Sequence, residues 1–159
     1  MPKNQKSLKP KVLFNASVIL SGWNCPSGGS AAVLKLAEKE EVSPIISEVI
    51  WDEVCRHIGK IKMDLDEAER KRKKELGNLI LAPEKKTVKR YMKIVIDEGD
   101  AHVLATAWEQ RVDFLVTLDK KHLLVLKDKV KDFEIVTPGE LLAKPRLRRR
   151  VRGQRLPLK

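Results

Sequence analysis

Cysteine is almost absent: only Cys25 and Cys55 occur among 159 residues. Two isolated thiols, one in a turn and one on a helix face, offer neither a disulfide framework nor a zinc spacing. They are the reduced cysteines expected of a cytoplasmic protein. Histidine is as scarce. His57, His102 and His122 have no zinc spacing and read as surface or internally satisfied residues, His102 on the exposed side of its helix. Long apolar runs are missing too: nothing approaches the roughly 20 residues of a membrane helix, and the basic lead into Lys11 opens onto no apolar signal core. No membrane span is expected. Gly28 and Gly29 are followed by no Gly-Lys-Ser/Thr and form no Gly-x-Gly-x-x-Gly. The segment Asn24-Cys-Pro-Ser-Gly-Gly29 therefore reads as a turn, with Ser30 capping a helix over 31–40, and not as a phosphate loop. Trp23, Trp51 and Trp108 are dispersed over the helices, which suits core or dimer packing better than base stacking.

Charge, by contrast, is plentiful and uneven. The net charge is +11, yet the lead to Lys11 holds 4 basic residues and no acid, and the stretch from Lys144 to Lys159 holds 8 and no acid, leaving 21 basic against 22 acidic residues between them. The body is close to neutral, and the positive field comes from its two ends. This divides the chain into a basic lead over 1–10, one domain over 11–143 and an arginine-rich tail over 144–159. Arg146, Arg148, Arg149, Arg150, Arg152 and Arg155 exceed what solubility requires and are candidate contacts to a nucleic-acid backbone.

Along the domain, apolar runs alternate with amphipathic ones. Strands are expected at 12–14, 43–46, 112–118 and 133–136. Helices are expected at 16–23, from a Ser47 cap to about 60, from Asp64 onward with Glu67 at capping-box spacing, at 87–95, at 98–110 and, capped by Thr137, at 138–143, with a helical turn at 120–126. The basic run Arg70-Lys-Arg-Lys-Lys74 is balanced by i,i+4 pairs, Asp66 with Arg70, Glu67 with Lys71 and Glu69 with Lys73, and reads as a solvated helix face. Such alternation predicts a three-layer α/β/α fold with a central parallel sheet, whose ligands sit at the carboxyl edge where strand order reverses.

The acids point to that edge. Asp100 shares a helical stripe with Val103, Leu104 and Ala107, so its charge faces inward, where a carboxylate has no packing role. Asp119 ends the strand 112–118. Glu53 lies at the border of the buried face of the Ser47-capped helix, and Asn15 ends the first strand. Clustered carboxylates repel, and Mg²⁺ or Mn²⁺, hard ions with oxygen ligands, relieve that repulsion most simply. An ion held so can activate water and stabilise an in-line attack on a phosphodiester, which makes hydrolysis of nucleic acid the natural chemistry.

Four segments carry a resemblance. Val12-Leu-Phe-Asn-Ala-Ser-Val-Ile-Leu-Ser21, Ser47-Glu-Val-Ile-Trp-Asp-Glu-Val54, Asp100-Ala-His-Val-Leu-Ala-Thr-Ala107 and Phe114-Leu-Val-Thr-Leu-Asp119 resemble, in order, the four motifs of the PIN-domain family, over nearly all of 11–143. The chain is similar in particular to the VapC-like toxin components of bacterial toxin-antitoxin systems. That resemblance implies a PIN-like fold and Mg²⁺- or Mn²⁺-dependent endoribonuclease activity, with an RNA substrate, an antitoxin protein as partner and a homodimer. It implies catalytic and metal-binding roles for Asn15, Glu53, Asp100 and Asp119, and accessory polar roles for Ser17 and Thr117. For the last two, helix capping and strand-edge packing are equally good accounts.

The first motif of the family ends in aspartate, where this chain has Asn15. An amide keeps the shape and one weak oxygen donor but loses the charge. Two readings follow: an endoribonuclease impaired at this position, or an inactive PIN module that binds RNA or a protein partner. A phosphoacceptor receiver domain and a haloacid-dehalogenase-type phosphatase are excluded, since Phe14-Asn15-Ala16 offers neither an acidic pair nor Asp-x-Asp.

Overall fold

The computed structural model describes residues 9–145; the tail arginines Arg146, Arg148, Arg149, Arg150, Arg152 and Arg155, and most of the basic lead, lie outside them. Strand β1 (Lys11–Phe14) is apolar at every position after Lys11, and Val12, Leu13 and Phe14 are wholly buried. A strand buried on both faces belongs in the middle of a parallel sheet. Here β1 pairs on one side with β2 (Ser43–Ile45) and on the other with β3 (Phe114–Val116), which pairs in turn with β4 (Glu134–Val136), all parallel. Pro44 is tolerated because β2 is an edge strand, with a single neighbour to satisfy.

Helices α1 (Ala16–Asn24) and α2 (Gly29–Glu38) connect β1 to β2. Between β2 and β3 run α3 (Glu48–His57), a 3-10 turn at Ile58–Ile61, α4 (Leu65–Glu75), α5 (Lys85–Tyr91) and α6 (Glu98–Glu109), and α7 (Pro138–Leu142) follows β4. The result is the three-layer arrangement of a central parallel sheet flanked by helices. The chain leaves β1 toward β2 and then returns past β1 to reach β3. Strand order reverses between β1 and β3, so a crevice opens at their carboxyl ends.

Several local expectations hold. The Ser47 hydroxyl accepts the Ile50 N–H at 3.2 Å, and Asp64 accepts that of Glu67 at 2.8 Å. Thr137 and Glu140 form a reciprocal capping box with Pro138 in the first turn. Trp23 and Trp51 pack edge to face, with centroids 6.2 Å apart.

Others are corrected. Gly28, not Ser30, occupies the cap position of α2, and Ser30 is buried in its first turn. The face of α4 is not wholly solvated either. Arg72 is buried, donates to the Gly77 carbonyl and to Glu69 at 2.7 Å each, and lies 5.1 Å from the Trp51 ring centroid. The side chain is held inside because its guanidinium finds a carbonyl, a carboxylate and an aromatic face together. Among the described residues, the ion pairs within α4 are Glu69–Arg72 and Lys71–Glu75, not the three pairs expected from spacing. No helix of the described residues is long and apolar enough to cross a membrane.

Candidate metal centre at the carboxyl edge

A cleft of about 450 Å³ opens at the crevice between β1 and β3, and Asn15, Ser17, Glu53, Asp100 and Asp119 all line it. They arrive from four separate places in the chain. Asn15 follows β1, and its N–H extends the ladder to the Val116 carbonyl at 3.1 Å. Its extended backbone makes it the N-cap of α1, with Oδ1 accepting the Ala16 N–H at 2.9 Å and Nδ2 donating to the Thr117 hydroxyl at 2.7 Å. The Ala16 N–H admits only an acceptor, so the amide cannot be turned the other way.

Thr117 is fully buried and also accepts the Asp119 N–H at 3.1 Å. Ser17 does not cap its helix. Its hydroxyl accepts the Leu118 N–H at 3.1 Å. Both hydroxyls therefore hold the backbone of the segment that carries Asp119, tying the start of α1 to the end of β3.

Asp119 accepts the His122 N–H on Oδ1 at 2.9 Å, and His122 Nδ1 stands 3.4 Å from Oδ2. Asp100 lies in the first turn of α6, half-buried in the lining of the cleft. Burial is the main force raising its carboxyl above the usual aspartate range, and the charges of Asp97, Asp119 and Glu53 add to it while His122 opposes them. Glu53, half-buried on α3, completes the acidic side of the cleft.

One donor atom each from Asp100, Asp119 and His122 lie within 4.8 Å of one another. This oxygen-rich set, without thiolate and with uncompensated negative charge around Asp100, fits a divalent cation. His122 is the residue missed from the sequence. The signal was its place three residues after Asp119, where a tight turn brings both side chains to the same rim. His57 and Lys60, from the end of α3 and the turn after it, also line the cleft. His102 is not on an exposed face: it is half-buried, its Nδ1 enclosed without a partner and its Nε2 3.6 Å from Glu98.

A larger cavity of about 790 Å³ lies at the opposite edge, where Asp113 and Phe133 precede β3 and β4. Its walls mix Glu84, Glu109 and Asp132 with Lys86 and Arg111, and among the described residues no group of metal-donor atoms gathers there. Volume alone does not mark the site.

Among curated proteins, no sequence matches this one. Among solved structures, a chain of VapBC2 from Rickettsia felis, crystallised bound to a DNA fragment from its promoter, superposes with a TM-score of 0.58 at 14% identity, covering 80% of this chain and 98% of that chain. At this identity the likeness establishes the fold. A family model described as the PIN domain matches residues 11–121, a span that contains all four segments bearing Asn15, Glu53, Asp100 and Asp119, and the chain therefore belongs to the PIN-domain family.

Proposed function

We propose that this protein is a metal-dependent endoribonuclease and the toxin component of a toxin-antitoxin pair, with cleavage weakened by Asn15. The observation that carries the reading is the convergence of Glu53, Asp100 and Asp119 on one cleft at the strand-order reversal. Asp100, Asp119 and Glu53 would hold Mg²⁺ or Mn²⁺, which when bound supplies an activated water and charge stabilisation for phosphodiester hydrolysis. The chain's own contribution is positional. Thr117 and Ser17 fix the backbone on either side of Leu118, so Asp119 enters the cleft already oriented. His57 and Lys60 bring basic groups to the same cleft, where an RNA phosphate would approach.

An antitoxin protein, a homodimer and a cytoplasmic setting belong to the same proposal. The solved relative is itself a complex bound to promoter DNA. The tail arginines would add a sequence-independent grip on nucleic acid.

A second reading has its own support. The Asn15 amide is engaged at both ends by Ala16 and Thr117, an arrangement that is stable without any metal and suits a PIN module that only binds RNA or a protein. Incubation of single-stranded RNA with the protein and with Asn15→Asp, under Mg²⁺ and under Mn²⁺, separates the two. Cleavage that rises with the restored carboxylate supports the nuclease; no cleavage by either protein leaves the binding module.

A further inference from the structure

Resting on the reading that the cleft holds a divalent cation, we infer that His122 is a ligand to it, replacing the donor lost at Asn15 and turning the site from Mg²⁺ toward Mn²⁺. Three observations converge. First, Asn15 has no charge, its Oδ1 faces the Ala16 N–H and its Nδ2 faces Thr117, so a cation here finds one anionic group fewer than a four-carboxylate cleft provides.

Second, His122 stands against Asp119, its Nδ1 3.4 Å from the carboxylate. Its N–H bond to Asp119 closes the turn and holds the residue at the rim. Donor atoms from His122, Asp119 and Asp100 lie within 4.8 Å of one another. Ligands sit about 2–2.5 Å from such ions, so donors on opposite sides of one ion are about 4–5 Å apart, and the three groups can share an ion with little movement.

Third, the His122 ring is well exposed, with 60% of its side-chain surface open. It is not bound into the core and is free to turn one nitrogen inward. An exposed pair with Asp119 alone would contribute little to stability.

The consequence lies in ion choice. Mg²⁺ demands oxygen donors and parts reluctantly with water, whereas Mn²⁺ follows the transition-metal order and takes imidazole more readily. A set of two aspartates, one glutamate and one imidazole therefore favours Mn²⁺ over Mg²⁺.

The test is calorimetric titration of Mn²⁺ and of Mg²⁺ into the full chain, His122→Ala and Asn15→Asp, with pulsed electron paramagnetic resonance of the Mn²⁺-loaded proteins to detect a coordinated nitrogen. Expected is a loss of at least about tenfold in Mn²⁺ affinity in His122→Ala, unchanged Mg²⁺ affinity, and a nitrogen coupling that disappears with the ring. Equal Mn²⁺ affinity in the full chain and His122→Ala, or a nitrogen coupling that persists in His122→Ala, would overturn the role of His122 while leaving the cleft a metal site. Absence of binding to every protein, Asn15→Asp included, would instead remove the metal reading itself, and the inference with it.

Discussion

Asn15 Nδ2 lies 2.7 Å from the Thr117 hydroxyl, joining the carboxyl ends of β1 and β3 by a neutral, buried hydrogen bond at the floor of an acidic cleft. In Asn15→Asp the carboxylate keeps the cap on Ala16, since aspartate and asparagine cap equally well, and Thr117 can donate to it in place of accepting. What changes is charge. The metal-free protein should lose roughly 1 kcal/mol of stability through repulsion from Asp100 and Asp119, and its melting temperature should then rise more steeply with Mn²⁺ than that of the parent. Thermal unfolding in chelator and in a Mn²⁺ series measures both; identical curves for the two proteins would place Asn15 away from any bound ion.

Asp100→Asn should act in the opposite sense. Burial and three neighbouring acids raise the Asp100 carboxyl above the ordinary value of 3.8, so the folded state holds this proton more tightly than the unfolded chain. Its contribution to stability is then most favourable at low pH and declines as pH rises from the unfolded value through the raised folded one. In chelator the variant should therefore be more stable than the parent near neutrality. That advantage should vanish in acid, and the variant should gain nothing from Mn²⁺. Urea unfolding over a pH series checks the sign, and a variant less stable at neutral pH would contradict it.

Arg72 is expected to matter for folding and not for chemistry. Truncation in Arg72→Ala leaves the Gly77 carbonyl and Glu69 without their donor and uncovers the Trp51 face, at a cost of about 2 kcal/mol. Arg72→Lys should recover little, because an ammonium cannot reach carbonyl, carboxylate and ring at once. Chemical denaturation of both variants, with Mn²⁺ affinity as the control, decides the matter; full recovery by lysine would reduce the interaction to a simple charge.

Removal of residues 146–159 should weaken binding of single-stranded RNA at low salt and flatten its salt dependence, by about 0.7 in the log–log slope for each phosphate no longer neutralised. Among the described residues the buried core ends with Leu141, so the melting temperature should stay where it is. Superimposable binding curves across a salt series would mean that the tail does not touch nucleic acid.

Sequence alone determined what depends on near neighbours and on pattern. Alternation of apolar and amphipathic runs is enough to place four strands and a parallel sheet, because burial on both faces demands continuous apolar residues. The caps at Ser47, Asp64 and Thr137 were equally legible, since a capping side chain acts on a backbone group only three residues away. Asp100 betrayed itself by sharing a stripe with Val103, Leu104 and Ala107.

Tertiary structure decided the rest, since spatial neighbours across a sheet carry no local trace. Asn15 and Thr117 meet across a separation of 102 residues, and Ser17 reaches Leu118 over 101, pairings that exist only because β1 and β3 lie side by side in register. The burial of Arg72 followed from Trp51 on another helix, against a local pattern that read as solvated. His122 joined the acids because the turn after β3 folds back toward α6. Helical and strand periods are set by backbone geometry over a few residues, whereas cleft membership is set by the packing of elements distant in the chain.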